Sequence, residues 1–222
     1  MKDKTGGTVT VMSMGPAQAE DVLRESLSVG ADEAYLVSGR EFGGSDTLAT
    51  SYILSCAVKA VEEKRGEKFD VIYCGKQAID GDTGQVGPEM AEHLGYTQIT
   101  YATELVACEG DKVQVRKETA DGYDVLEAAL PVVISVTKTP FELRYPTVKK
   151  RLAANRAQIP TITPQDMEGQ IDLSRAGLKG SPTKVKKSFT PQHNKTCVVV
   201  EEDSPSASAV KLVALLSDDK KI

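Results

Sequence analysis

The residues best equipped for chemistry sit in one stretch, Gly75-Lys76-Gln77-Ala78-Ile79-Asp80-Gly81-Asp82-Thr83-Gly84-Gln85-Val86-Gly87-Pro88. Glycines let a backbone come close to a phosphate, and the N-terminus of a following helix offers unpaired N–H groups and a partial positive charge. Asp80 and Asp82 suit the polar anchoring of a nucleotide, or equally a loop and helix-cap role. A short apolar run, Asp70 to Cys74, precedes the stretch, and a helical pattern, Glu89 to Leu94, follows it. Strand, glycine-rich acidic loop, helix is the usual geometry of a nucleotide site in an α/β sheet. The spacing fits neither G-x-G-x-x-G nor the G-K-[ST] of a P-loop. Residue physics alone leaves two readings open, a structural β–α turn and a ligand site.

Other chemistries lack their residues. His93 and His193 are the only histidines, one in a predicted helix and one in a polar loop, with no partners for a triad or a zinc site. Solvent-facing or capping roles are expected for both. Cys56, Cys74, Cys108 and Cys197 are far apart and form no C-x-x-C, so buried free thiols in a reducing cytoplasm are expected. No catalytic residue and no metal ligand emerges.

The elements that must position the loop follow from length and pattern. A chain of 222 residues, 40% hydrophobic and 27% charged, can bury one good core with a small annex. A formal charge of −5 argues against a general nucleic-acid role. No apolar run approaches the ~20 residues of a membrane span, and Met1 to Gly7 has no apolar signal region. A cytoplasmic chain with no membrane association is expected.

Thr8 to Met14 alternates and is β-branched, which predicts a strand. Pro16 suits the first turn of a helix that Gly30 can end. Glu33 to Ser38 is a second strand, Arg40 to Asp46 a polar loop, and Asp46 the N-cap of a long helix to about Glu63. Asp70 to Cys74 is a third strand. This alternation predicts a mainly parallel sheet with helices on both faces. Thr97 to Val106, Lys112 to Glu118 and Tyr123 to Ala129 then predict an antiparallel meander, and Leu130 to Val136 a buried returning strand. From Phe141 to Gln165 the composition turns basic, the pattern of a solvated helix face. Residues 160 to 195 are proline-interrupted and have little room for a core of their own. Ser204-Pro205 starts a last amphipathic helix to about Leu216.

The wording of the loop is more specific than its glycines. It closely resembles the nucleotide-binding loop of the β subunit of electron transfer flavoproteins, a family that keeps G-K-Q-A-I-D, an acidic pair and Q-[TV]-G. Thr10 to Glu20, Gly30-Ala31-Asp32-Glu33-Ala34, Ala49-Thr50-Ser51-Tyr52 and Phe141 to Thr147 resemble further parts of the family in the same order. The resemblance implies an α/β fold: a Rossmann-like (adenine nucleotide α-hydrolase-like) sheet with an antiparallel hairpin excursion and an extended C-terminal arm. It also implies two regions, residues 1–158 for nucleotide or flavin binding and 159–222 as an arm and helix contacting an α subunit in a heterodimer.

The implied function is electron transport between a dehydrogenase, such as an acyl-CoA dehydrogenase of fatty acid oxidation, and an acceptor. A carrier of this kind needs a bound redox group, a tuned environment and a route to a partner, and no base or nucleophile. The cofactor contacts that match the family are Met14, Gly75, Ala78, Asp80, Gly81, Asp82, Thr83, Gly84, Gln85 and Val86. Ordinary members hold AMP there, while bifurcating members hold a second FAD and use NADH. The Asp80-Gly81-Asp82-Thr83 wording resembles the bifurcating type, and Gly81 leaves space that a larger side chain would take from an isoalloxazine ring. FAD is therefore expected, with AMP as the alternative at the same site. The region around Phe141 to Tyr145 resembles the part that docks on the dehydrogenase-type redox partner.

The family's opening strand with K-Q-V-P-D and its following helix have no counterpart before Thr8. A chain lacking that unit is expected to leave strands short of a neighbour, and to form a self-associated or rearranged species with an empty or poorly formed nucleotide site. Two alternatives compete with the carrier: a non-redox adenine-nucleotide-binding module of the same architecture, and an ATP-pyrophosphatase-type enzyme, whose S-G-G-x-[DS]-S loop is absent.

Overall fold

The computed structural model describes residues 1–138, 140–190 and 197–221. His193 lies outside the described residues. The elements run α1 (Lys2–Thr5), β1 (Thr10–Met14), α2 (Glu20–Val29), β2 (Glu33–Val37), α3 (Thr47–Arg65), β3 (Val71–Gly75), α4 (Val86–Leu94), β4 (Thr97–Glu109), β5 (Lys112–Thr119), β6 (Gly122–Ala129), β7 (Val132–Val136), α5 (Val148–Arg156), β8 (Thr161–Ile162), α6 (Gly177–Gly180) and α7 (Pro205–Asp218).

The strands form two hydrogen-bonded sheets. One is three-stranded, β1-β2-β8, and wholly parallel. The other has the order β3-β7-β4-β5-β6, in which β3, β7 and β4 are parallel and β4-β5-β6 is the expected antiparallel meander. The architecture is α/β and Rossmann-like, parallel at its centre with an antiparallel excursion. Strand β7 is buried at Val132 through Ser135. That suits a β-branched run paired on both edges and covered on both faces.

Helix α3 is the spine of the first compact unit, Met1–Lys184. Asp46 caps it, its carboxylate accepting the Ala49 N–H at 3.1 Å, and Gly66 ends it at a left-handed φ of 75°. Its apolar face packs Ile53, Ala57 and Val61 against Val37, Phe42, Ile162 and Met167. Each fully buried aliphatic side chain there stabilises the fold by roughly 1.5–3 kcal/mol. At the far end Arg65 donates to Thr10 Oγ1 at 3.0 Å and Glu33 Oε2 at 2.7 Å, which ties α3 to the starts of β1 and β2. A second core gathers Ile99, Val113, Val115, Val132 and Ile134 under the meander.

Helix α5 carries the basic run and is exposed at Lys149, Lys150 and Arg151. Its C-terminus is closed by Arg24, whose guanidinium donates to the Ala154 and Ala157 carbonyls at 3.0 and 2.8 Å. A cation there also suits the negative end of the helix dipole. Beyond β8 the chain returns along α3. A capping box of Thr163 and Asp166 starts a short 3-10 turn. Hydrogen bonds from the Thr163 hydroxyl, Lys64 and the Thr163 N–H hold the Asp166 carboxyl down at about 2. Ile162, Met167 and Ala176 are buried against α3 and Phe42 rather than in a core of their own. The second compact unit, Val185–Ile222, contains α7, whose first turn has Pro205 and whose cap is Ser204.

Candidate functional site

A cavity of about 340 Å³ opens at the C-terminal ends of β1 and β2. Met14, Gly15 and Pro16 line one side, and Val37, Ser38 and Gly39 with Phe42 to Ser45 line the other. Ligands of open α/β sheets bind outside the carboxyl ends of the strands, and the volume lies at the lower end of small-molecule sites. The wall combines apolar surface from Met14, Val37 and Phe42 with hydroxyls and glycine backbone.

Of the residues expected from sequence, Met14 lies in this cavity, half-buried at the end of β1. The glycine-rich loop does not line it. Gly75 ends β3, opposite Val136, and the next residue, Lys76, donates its N–H to the Val136 carbonyl at 3.0 Å. Ala78, Asp80, Gly81, Asp82 and Thr83 form an exposed rim, closed by a turn in which the Asp82 N–H donates to the Ala78 carbonyl at 3.0 Å. Asp82 and Gly84 both take positive φ, 55° and 65°. At Gly84 a Cβ would also stand 3.4 Å from the Lys76 carbonyl. At Gly81 a Cβ would meet nothing nearer than Thr83 Cγ2 at 4.0 Å, so the space beside that glycine is open.

Gln85 and Val86 begin α4. Gln85 Oε1 accepts the Thr47 hydroxyl at 3.2 Å, which joins the glycine-rich loop to the start of α3. Thr47 lies two residues beyond Ser45 of the cavity wall, so loop and cavity share one support. Gly87 lets the first turn of α4 sit against β3: a Cβ there would lie 3.4 Å from Cys74 Cβ.

Sequence reasoning missed the other wall. Its residues are Ser38, which ends the predicted second strand, Gly39, and Gly43, Gly44 and Ser45 of the predicted polar loop. They had the same signal as the first loop: glycines and hydroxyls between an apolar strand and a capped helix. Two further readings are corrected. His93 is not a solvent-facing or capping residue. It is half-buried, edge-on to Tyr52 with ring centroids 5.6 Å apart, and its Nε2 is buried with no hydrogen-bond partner among the described residues. Burial first, and then the Arg175 charge, lower its pKa. The cysteines are all free, but only Cys56 is fully buried, Cys74 and Cys108 are half-buried and Cys197 is exposed. Burial pushes the Cys74 thiol up, away from a reactive thiolate. Among the described residues no group of acidic, cysteine or histidine side chains could hold a metal ion. No described helix is long and apolar enough to cross a membrane.

Parallel strands whose ends open on two glycine-rich strand-to-helix loops define an α/β protein of Rossmann-like layout. The model of the electron transfer flavoprotein domain matches residues 1–167. The chain is 48% identical over 217 residues to an electron transfer flavoprotein subunit beta of Megasphaera elsdenii, covering 96% of this chain and 79% of that one. It is 44% identical over 209 residues to the corresponding subunit of Clostridium acetobutylicum, covering 94% and 77%. It is 41% identical over 205 residues to the acryloyl-CoA reductase electron transfer subunit gamma of Anaerotignum propionicum, covering 90% and 75%. The chain belongs to the electron transfer flavoprotein family, in its β-subunit branch, and its function is electron transfer. The non-redox adenine-nucleotide module is not favoured by this placement.

Proposed function

We propose that the chain is the β subunit of a heterodimeric flavoprotein of the cytoplasm, and that the rim Gly75–Val86 and the cavity beside Met14 hold FAD. The observation that carries this reading is the open space at Gly81 on a rim tied to the cavity wall through Gln85 and Thr47. The donor set fits a dinucleotide. Backbone N–H groups at Gly39, Gly44, Gly81 and Gly84 and the hydroxyls of Ser38 and Thr83 suit phosphate and ribose, while Met14 and Phe42 offer an apolar wall. A bound FAD supplies the accepting and releasing of electrons. The protein holds it, orients it and restricts water around it. AMP is the second candidate, favoured by a cavity of mononucleotide scale, about 340 Å³.

In this reading residues 1–158 carry the nucleotide site and residues 159–222 engage an α subunit. Unburied Val210, Val213 and Leu215 on α7 support that assignment. The dehydrogenase-type partner docks at Phe141 to Tyr145, where Phe141, Leu143 and Tyr145 are 66%, 90% and 90% exposed next to the basic face of α5. The Anaerotignum relative is by its name an electron transfer subunit of acryloyl-CoA reductase, and an acyl-CoA dehydrogenase-type partner with NADH-dependent bifurcation is the proposal here.

The test is to co-express the chain with an α subunit, purify the pair, and identify the released cofactors by chromatography and flavin absorbance. Two FAD per pair supports the reading. One FAD and one AMP selects the AMP alternative. No nucleotide at the β site rejects both.

A further inference from the structure

The cavity wall is held from outside by a segment far along the chain. Residues 172–183 run back along α3 and end on its cap. The Asp46 carboxylate does two jobs at once. One oxygen accepts the Ala49 N–H that starts the helix, and Oδ2 accepts the Thr183 N–H at 3.0 Å and the Thr183 hydroxyl at 2.7 Å. The Asp46 N–H in turn donates to Ser181 Oγ at 2.8 Å, and the Ser181 hydroxyl donates to the Gly177 carbonyl at 2.7 Å. The Gly177 N–H donates to Ser45 Oγ at 3.1 Å. Ser45 itself lines the cavity.

The two segments also interlock sterically. A Cβ on Gly177 would lie 2.1 Å from the Glu41 carbonyl oxygen, at a φ of 60° that side chains avoid. A Cβ on Gly44 would lie 2.7 Å from Leu178. At Gly177 backbone therefore meets backbone, at Gly44 backbone meets the Leu178 side chain, and Ser181 is only 4% exposed. Burial works to raise the Asp46 carboxyl, but the hydrogen bonds from Thr183, Ala49 and Ser181 outweigh it and bring the group below its ordinary value. On its other side Phe42 packs into the core against α3, and Thr47 reaches Gln85 through one bond.

We propose that Thr183 and Ser181 are positioning residues for the nucleotide cavity: through Asp46 and Gly177 they set the wall at 42–46, so that seating of this strap and binding of a nucleotide favour each other. The proposal rests on the nucleotide reading of the cavity given above. Coupling of this kind is reciprocal, because whatever the strap adds to ligand affinity the ligand adds to strap seating. The chain passes from Thr183 into the second compact unit at Val185, so a partner that draws on residues 185–222 pulls on the same strap. Ligand and partner then sense each other without touching.

The experiment uses the full chain, the Thr183→Val variant and the Ser181→Ala, Thr183→Val double variant. Valine keeps the size of threonine and removes only the hydroxyl. Hydrogen exchange is followed at residues 42–49 and 172–183, without ligand and with FAD or AMP, and affinity is measured by titration. The expected results are faster exchange at 42–49 in both variants without ligand, ligand-slowed exchange at 172–183 in the parent, and affinity weaker by roughly tenfold in the double variant. Unchanged exchange at 42–49 in the double variant overturns the proposal. So does parent-like affinity, or a bound nucleotide that leaves 172–183 exchanging as before. A parent that binds neither nucleotide rejects the cavity reading, and the ligand-free exchange at 42–49 then still decides whether the strap sets the wall. A purely structural role would speed exchange without any response to ligand at 172–183.

Discussion

The guanidinium of Arg175 lies 3.9 Å over the ring of Tyr52, fastening the segment after β8 to the second turn of α3. The Tyr52 hydroxyl oxygen accepts the Asp172 N–H at 2.8 Å, and the Cys56 thiol one turn further donates to the Gln170 carbonyl. One aromatic side chain thus receives two contacts from a segment more than a hundred residues away. Tyr52→Phe keeps the ring and removes only the acceptor. The expected loss of stability is about 0.5–1.5 kcal/mol, the worth of one hydrogen bond. Arg175→Ala removes a solvent-facing cation–π contact and should cost about 0.5–1 kcal/mol. Urea unfolding of the parent and both variants checks this. Equal midpoints in all three would mean that the Tyr52 contacts add nothing and that the segment is held by its buried side chains, Ile162, Met167 and Ala176, and by its bonds to Asp46 and Ser45.

His93 gives the same region a pH dependence. Its ring meets Tyr52 edge-on, and the charges around it are Lys59 on α3, Glu89 and Glu92 on α4, and Arg175. Burial lowers its pKa, Arg175 and Lys59 act in the same direction, and the two glutamates act against them. A histidine whose folded pKa lies below its unfolded value of 6.5 leaves the unfolded chain holding more protons. Stability from this group is therefore full above pH 6.5 and declines as the pH falls through the folded value. His93→Phe keeps an aromatic edge and removes the proton. The parent should lose more of its urea midpoint than the variant between pH 7.5 and 5.5. Parallel declines would contradict the assignment.

Much of this arrangement was readable from sequence where the signal is local. The Asp46 cap, the buried run at Val132–Ser135 and the turns of the meander all follow from neighbouring residues. The first turn of α4 was missed because Val86-Gly87-Pro88 reads as loop. The structure shows why it tolerates them: the opening N–H groups of a helix have no intrahelical partner, so Pro88 costs nothing there, and Gly87 allows close approach to Cys74. The role of His93 was not readable, because Tyr52 and Arg175 reach it only through packing of α3 on α4 and the return of the chain after β8. The wall at 38–45 was visible but undervalued. Glycines mark it, while its support from Gly177 and Ser181 lies more than 130 residues downstream.

Asp80 separates ligand chemistry from fold chemistry. It stands on the exposed rim, and its side chain makes no hydrogen bond among the described residues. Asp80→Ala should therefore change folding stability by no more than about 0.5 kcal/mol. If its carboxylate accepts from the nucleotide, the same substitution weakens binding by about 1.5–3 kcal/mol, the value of a charged hydrogen bond. Titration of FAD and AMP into parent and variant, each paired with an α subunit, measures the difference. Equal affinities with equal stabilities would remove Asp80 from the site and leave the binding to the cavity beside Met14.

The last expectation concerns the sheet edges. Among the described residues β1 pairs only with β2, and β3 only with β7. Each therefore presents a row of unpaired N–H and C=O groups along an apolar strand, Thr10-Val11-Met12-Ser13-Met14 and Val71-Ile72-Tyr73-Cys74-Gly75. Open edges of this kind recruit another strand, and a second copy of the chain is the strand always at hand. The isolated chain, without an α subunit, is expected to show a mass in light scattering that rises with concentration. Tyr73 is the place to intervene, since it is 48% exposed on β3 and its replacement leaves the buried faces intact. A lysine on an edge strand opposes pairing by charge and by its hydration. Tyr73→Lys should shift the isolated chain toward monomer if β3 is the edge in use, and leave it associated if β1 is. A parent that remains monomeric at every concentration would show that the two edges are protected within one molecule, and the self-association proposal would then be abandoned.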